Sequence, residues 1–195
     1  MIDIGKIEKG IYALLEGHLH SDLTYHTKAH TQDVVDIAMK LSNIYRLPEK
    51  ERLLLRIAAL YHDTGFLKTY KGHEKESIGI FHDHFGSNTL ARDEKARIEG
   101  MIMATRIPQS PQNFLEKIIC DADLDYLGRP DFYTTGDLLY KEFLDFGFVE
   151  DRNDWNQVQI DFLSQHEYHT GYAKLVRGPR KAEHLEELKN APDSD

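Results

Sequence analysis

Apolar residues recur every three or four positions along most of this 195-residue chain, which is the spacing of amphipathic α-helices. The stripe nearest the amino terminus contains Ile4, Ile7, Ile11, Leu14 and Leu15. Similar stripes predict helices over residues 34–47, 48–63, 73–85, 92–104, 114–126, 136–146, 155–166, 172–176 and 181–189. No segment shows the two-residue alternation that is typical of β-strands. The pattern therefore predicts an all-α protein.

Composition and charge narrow the function classes. The chain is 41% hydrophobic and 29% charged, a balance that suits a folded globular protein. We predict one domain over residues 1–195, with the main motifs at about 23–128 and a helical extension at about 131–190. The formal net charge of -9 argues against binding to a nucleic acid polymer or to an anionic membrane, because both would be repelled. A small anionic substrate is still compatible, because a bound cation reverses the local field.

Cysteine content and targeting signals bear on the compartment and on assembly. Cys120 is the single cysteine, so no intrachain disulfide can form. The first residues lack a basic segment followed by an apolar run, and no apolar stretch is long enough to span a bilayer. We therefore expect a cytoplasmic protein that does not enter a membrane. His166 and His169 beside Tyr168 and Tyr172 are compatible with internal packing or with subunit contact, so a homo-oligomer is a candidate arrangement.

Three separated fragments carry histidine and aspartate side chains within or beside predicted helices. They are His26 with His30, His62 with Asp63, and Asp121 with Asp123. A carboxylate inside an apolar helix is costly to bury, and a metal ion offsets that cost. Of these residues, His30, His62, Asp63 and Asp123 supply two imidazoles and two carboxylates, a set that suits one divalent ion such as Mn, Fe, Co, Ni, Zn or Mg. Each fragment alone has an ordinary structural explanation, such as a helix cap or a solvated surface, but the combination predicts a metal site.

The same fragments resemble the HD superfamily of metal-dependent phosphohydrolases, an all-helical group named for its paired histidine and aspartate. The resemblance covers about residues 23–128, through the segments LTYHTKAHT, ALYHDTG and CDADLDYLG. It implies an HD-domain-like helical bundle with additional C-terminal helices. The positions that match the metal ligands of the family are His30, His62, Asp63 and Asp123. Asp123 is preferred to Asp121 because the family ligand follows a small residue and precedes a hydrophobic one, which leaves Asp121 as a supporting or capping residue.

The resemblance also implies catalytic roles for His26, Asp63 and His73. His26 matches the histidine that donates a proton to the leaving oxygen in the cyclic-nucleotide phosphodiesterase branch, although Thr27 stands where that branch commonly has asparagine. His73 matches a histidine that binds a second metal in some members. Those members add further histidines, whereas residues 102–105 here read IMAT. We therefore expect one metal, with His73 hydrogen-bonded to a metal-bound water or to a substrate phosphate.

The leading hypothesis is a metal-dependent phosphohydrolase that cleaves a phosphate monoester or diester of a small molecule, such as a nucleotide. The segment over residues 64–67 lacks the acidic pair of the branch that hydrolyses guanosine tetraphosphate, so that substrate is disfavoured. The candidate phosphate-binding residues are Lys68, Lys71, Arg106 and Arg129. One alternative is a non-catalytic metal- or nucleotide-binding regulatory module, disfavoured because all four ligand positions are filled. A two-iron oxygenase is a further alternative, disfavoured by the missing histidines.

Overall fold

Ten α-helices account for most of the residues that the computed structural model describes, which are residues 2–86 and 89–191. They are α1 (Ile4–His18), α2 (Lys28–Ile44), α3 (Glu49–Tyr61), α4 (His73–Phe85), α5 (Arg92–Ala104), α6 (Phe114–Asp123), α7 (Phe132–Asp145), α8 (Arg152–Gln165), α9 (Gly171–Val176) and α10 (Gly178–Lys189). Two short 3-10 helices, Thr64–Leu67 and Asp125–Gly128, follow α3 and α6. No strand occurs in these two described ranges, so the predicted all-α class is confirmed.

The helix boundary that bears most on the predicted metal site is the end of α6. The predicted helix over residues 114–126 is divided, because Leu124 has a backbone conformation outside the α-helical region (φ -108°, ψ 19°). Asp123 is therefore the last residue of α6, and Asp125 begins a 3-10 helix. The sequence had placed Asp123 in the middle of a helix, and that placement is wrong. At the end of a helix, the residues that follow influence where a side chain points, so helical spacing alone does not predict the direction of the Asp123 carboxylate.

The chain forms two compact units. The first contains Met1–His20 and His26–Asp123, and the second contains Ser21–Tyr25 and Leu124–Asp195. The motifs that predict a metal site all belong to the first unit. The description of residues 1–195 as one domain stays a prediction.

Helix α3 is the central helix of the first unit, where it packs against α1, α2, α5 and α6. Its side chains Ile57, Ala58 and Leu60 have no exposed surface. Complete burial of a leucine or isoleucine side chain stabilises the fold by about 1.5–3 kcal/mol. Because α3 is held on several sides, the residues that follow Tyr61 begin from a well-defined position.

In the second unit, α10 packs against α8, α9 and the 3-10 helix Asp125–Gly128. The core there includes Phe132, Leu163 and Leu188, all at least nine-tenths buried. The hydroxyl of Tyr168 donates a hydrogen bond to the carbonyl oxygen of Leu124 at 3.1 Å. Apolar packing and a buried polar contact therefore stabilise the C-terminal helices.

Among the described residues, no helix combines the length and apolar character that crossing a bilayer requires. The expected cytoplasmic location stays a prediction.

Candidate metal centre

His30 lies in the first turn of α2. The residue before this helix, Thr27, is extended (φ -115°, ψ 177°), and α2 begins at Lys28. His26 therefore precedes the helix and does not share a helical face with His30. Their imidazole centroids are nevertheless 5.8 Å apart. The extended approach to α2, rather than helical spacing, brings the two rings together.

The His62-Asp63 pair lies at the carboxyl end of α3. His62 keeps a helical backbone (φ -52°, ψ -38°), whereas Asp63 leaves it (φ -110°, ψ 5°). This change lets two adjacent side chains reach one point, although neighbours on a regular helix would diverge by about 100°. Nδ1 of His62 lies 2.8 Å from the carbonyl oxygen of Ala59, to which it donates in the neutral ring. That bond leaves the lone pair on Nε2, the atom that a metal would bind.

Asp123 completes a cluster with His30 and His62. The ligand atoms of these three residues all lie within 4.8 Å of one another, which is close enough to hold one metal ion. Oδ1 of Asp123 is 3.2 Å from Nε2 of His30 and 3.5 Å from Nε2 of His62. The neighbouring acid Asp121 is buried, but the cluster contains Asp123 and not Asp121.

Asp63 contacts three imidazoles through its two oxygens. Oδ2 lies 3.2 Å from Nε2 of His62 and 3.3 Å from Nε2 of His30, and Oδ1 lies 3.4 Å from Nε2 of His73. Although Oδ2 is buried, it has no hydrogen bond of acceptable geometry from the described residues. A buried carboxylate oxygen without a donor is unfavourable, so this oxygen fits a position beside a cation.

Attraction between the imidazoles and the carboxylates dominates the electrostatics of the cluster. Burial opposes protonation of His30, but its hydrogen bond with Asp123 and the nearby carboxylate of Asp63 outweigh burial and raise its pKa to about 9. Burial opposes a charged His62 as well, yet its carboxylate neighbours raise its pKa well above the ordinary value. In the reverse direction, burial raises the pKa of Asp123, but the two histidines lower it to about 2. The carboxylates are thus ionised, and the imidazoles opposite them hold either protons or a metal.

The spacing of these atoms fits a divalent ion. Metal–ligand bonds of about 2.0–2.2 Å place neighbouring ligand atoms roughly 3.0–3.5 Å apart. In the three-residue cluster, Oδ1 of Asp123 lies 3.2 and 3.5 Å from the two imidazole nitrogens. Asp63 is not a member of that cluster, although its Oδ2 lies 3.2 and 3.3 Å from the same two nitrogens. The two Nε2 atoms of His30 and His62 are themselves 3.4 Å apart. Nitrogen and oxygen donors at these separations could hold a divalent metal.

His26 and His73 are joined by an aromatic side chain that the sequence analysis did not assign to the site. The imidazole of His26 stacks on Phe66 with centroids 4.2 Å apart, and that of His73 stacks on Phe66 at 3.9 Å. Tyr70 meets the rings of His26 and Phe66 edge-on. The structure therefore places both predicted catalytic histidines within one aromatic group.

Two small residues dock α4 onto the turn that carries Asp63, and their role was also missed from the sequence. The hydroxyl of Ser77 donates to the carbonyl of His62 at 2.7 Å and accepts from the amide of Gly65 at 2.8 Å. A methyl group at Gly65 would overlap the main-chain carbonyl of His73. This close backbone approach is the reason that the position requires glycine. This docking brings His73 to Asp63.

Nδ1 of His73 has its own acceptor. It lies 3.0 Å from the carbonyl oxygen of Tyr70, so the neutral ring carries its lone pair on Nε2, toward Asp63. Burial opposes protonation of His73, but its contact with Asp63 outweighs burial and raises its pKa. His73 therefore faces Oδ1 of Asp63, whereas His30 and His62 face Oδ2.

Of the candidate phosphate-binding residues, two take part in ion pairs. Lys68 pairs with Glu76 at 3.2 Å, and Arg129 pairs with Asp131 at 2.8 Å. A phosphate-binding role for these residues, or for Lys71 and Arg106, stays a prediction.

Comparison with protein families decides the relationship that the motifs suggest. The family model described as HD domain matches residues 27–125, slightly more than half of the chain. This chain belongs to the HD-domain family. The HD match includes His30, His62, Asp63, His73 and Asp123, whereas His26 immediately precedes it. HD domains are metal-dependent hydrolases, so the family and the clustered donor atoms agree. Comparison with curated proteins found no match.

Proposed function

We propose that this HD-family protein is a phosphohydrolase that cleaves a phosphate ester of a small molecule, with nucleotides as the substrate class. The observation that carries the proposal is the convergence of two imidazole nitrogens on carboxylate oxygens at 3.2 to 3.5 Å in a buried site. Residues His30, His62, Asp63 and Asp123 would hold one divalent ion, either Mn, Fe, Co, Ni, Zn or Mg. When bound, such an ion polarises the phosphoryl oxygens and lowers the pKa of a water.

The remaining roles belong to side chains around the cluster. Oδ1 of Asp63, which faces His73, is an ionised acceptor that can orient the attacking water through a hydrogen bond. Burial alone would raise the pKa of Asp63, but the charge of His62 and contacts with the other imidazoles hold it well below its usual range. His73 orients the water or a phosphate oxygen through Nε2. His26 supplies a proton to the leaving oxygen.

Several features support a small phosphorylated substrate. The site is formed by side chains that are buried or partly buried, which limits access for a polymer. The net charge of -9 disfavours polyanions in general, whereas a metal centre attracts a single phosphate group. Because one metal and one proton donor serve monoesters and diesters alike, both belong to the proposal.

The test is turnover by metal-loaded protein. Purified chain, stripped with a chelator and reloaded separately with each candidate ion, is assayed against nucleoside monophosphates, cyclic nucleotides and aryl phosphate mono- and diesters. His62→Ala is expected to abolish hydrolysis. His82→Ala is the matched control, because His82 is an exposed histidine of α4 that pairs with Glu99 at 2.9 Å. Equal turnover by His62→Ala and the wild type would exclude the proposed centre.

A second candidate function is a non-catalytic metal- or nucleotide-binding regulatory module. The buried site with its unsatisfied Asp63 oxygen favours metal binding as such and does not require turnover. Stoichiometric metal binding without hydrolysis of any phosphate ester would favour this alternative over the phosphohydrolase.

A further inference from the structure

Phe66 contacts two imidazoles that come from different segments of the first unit. His26 precedes α2, and His73 is the first residue of α4. Their centroids are 6.3 Å apart, farther than either lies from Phe66. The interplanar angles with Phe66 are 24° for His26 and 22° for His73, so both pairs are stacked rather than edge-on.

The phenyl ring is itself held firmly. Phe66 is 6% exposed, and its amide donates to the carbonyl of Asp63 at 3.1 Å within the 3-10 helix Thr64–Leu67. Because Gly65 and Ser77 dock this short helix against α4, the ring has a defined place relative to Asp63. An aromatic face at that place restricts rotation about the last side-chain bond of each imidazole, a bond that otherwise has broad preferences.

We propose that Phe66 is a positioning residue that sets the orientations of His26 and His73 together, so that one side chain aligns a proton donor and a water- or phosphate-binding group. This inference rests on the proposed function for the catalytic part of its test. Phe66 contacts no reacting atom in this scheme, and it acts through the two imidazoles. A buried phenylalanine that served only the core would instead be replaceable by leucine at a cost in stability alone.

The first experiment compares Phe66→Leu with Phe66→Tyr in the metal-loaded protein. Leucine keeps apolar volume but removes the flat ring, and small misplacements of catalytic groups cost on the order of 100-fold in rate. We expect Phe66→Leu to lower kcat by about 10- to 100-fold with KM and metal affinity little changed. Phe66→Tyr keeps the ring and should restore most of kcat. Phe81→Leu, at a fully buried phenylalanine of α4, is the control for lost packing.

A double-mutant cycle separates positioning from general damage. If Phe66 acts through His26, the fall in kcat caused by Phe66→Leu should shrink in a His26→Ala background, because neighbouring residues that work together are not additive. The same comparison in a His73→Ala background reports on the second imidazole. Phe81→Leu should give the same small change in every background. Full additivity of Phe66→Leu with both histidine variants would overturn the proposal.

An NMR measurement on metal-free protein does not depend on turnover. The ring current of Phe66 shields the imidazole protons of His26 and His73, so Phe66→Leu should shift the signals of both rings, whereas Phe81→Leu should leave them in place. Signals that stay unchanged in Phe66→Leu would contradict the shared stack. If the wild type hydrolyses no ester, the proposed function fails, and this measurement still decides whether Phe66 orients both histidines.

Discussion

Asp63 in the first unit and Asp125 in the second are both deeply buried, at 7% and 2% exposed, but their surroundings differ in kind. Asp125 receives two hydrogen bonds from one guanidinium, from Nε of Arg177 at 2.8 Å and from Nη2 at 3.0 Å. Asp63 instead meets the Nε2 atoms of several histidines, and its Oδ2 has no hydrogen bond of acceptable geometry from the described residues.

The difference shows how to distinguish a buried acid that stabilises the fold from a buried acid that is a candidate metal ligand. The guanidinium of Arg177 carries its charge at every accessible pH, and its hydrogen bond with Asp125 raises the pKa of Arg177 further. An imidazole is cationic only when protonated, so the first cluster could exchange protons for a metal ion. Arg177 therefore gives Asp125 a permanently charged partner, and Arg129 lies 3.8 Å from the same carboxylate as a second one.

The largest effect is expected from Asp123→Asn. The amide keeps the size of the side chain but removes a charged ligand. Changes to residues that merely support ligands cost about 10- to 100-fold in metal affinity, so loss of a ligand should cost on the order of 1000-fold. Isothermal titration of stripped protein with Mn²⁺ or Zn²⁺ measures this. Arg177→Lys, which changes the partner of the other buried acid, Asp125, is the control. An equal loss of metal affinity in that variant would remove the distinction between the two acids.

Arg177→Met should disrupt the ion pair at Asp125 without changing the histidine cluster around Asp63. The substitution removes both close hydrogen bonds from buried Asp125 and leaves it with Arg129 at 3.8 Å, so we expect a loss of about 3 kcal/mol in the free energy of unfolding. Urea denaturation gives this value, and metal titration gives the second readout. The distinction predicts lower stability with unchanged metal affinity, so a large loss of metal binding would show that the two regions are not independent.

A pair of glycines offers a smaller, matched comparison. Gly65 lies against the main-chain carbonyl of His73, and Gly128 lies against that of Arg177, so a methyl group at either would overlap backbone. Each Gly→Ala change should lower the free energy of unfolding by about 1–3 kcal/mol through overpacking. Gly65→Ala should also lower kcat by displacing His73, whereas Gly128→Ala should not. Unaltered kcat in folded Gly65→Ala would argue against the docking role of that turn.

The smallest expected effect is the release of protons when a metal ion binds. The pKa of His30 is raised from 6.5 to about 9, so its imidazole is protonated at about pH 7.5 in metal-free protein and must lose that proton to bind an ion. Metal addition at that pH should therefore release protons, measurable by titration in buffers of different ionisation enthalpy. Release should diminish above pH 9. Proton-independent metal binding would place the ion elsewhere.

The raised pKa of His30 also makes the stability of the metal-free fold depend on pH in a defined direction. Because the folded-state pKa of His30 exceeds its ordinary value of 6.5, the protonated ring stabilises the metal-free fold fully below that pH. The contribution is lost as the pH rises from 6.5 toward 9. Saturating metal should reduce this dependence, and stability measured by denaturation across that range checks the direction. Arg177→Lys should leave the slope in place.

The sequence by itself determined the helices and the inventory of donor atoms. Apolar spacing located α4 and α5 to the residue, because periodicity is a local property of the chain. Residue type alone restricted metal ligands to histidines and acids, and the HD pair with its helical context indicated the family before any distance was known.

Tertiary structure decided how those residues are used. Asp121, Asp123 and Asp125 look alike in sequence, yet the break after α6 puts only Asp123 in the metal cluster, while Arg177 binds Asp125 from 52 positions away. Phe66 carried no distinguishing signal, because stacking on His26 and His73 depends on where three separate segments meet. Side-chain direction at helix ends and contacts between distant segments are set by packing of the whole core, which local spacing does not encode.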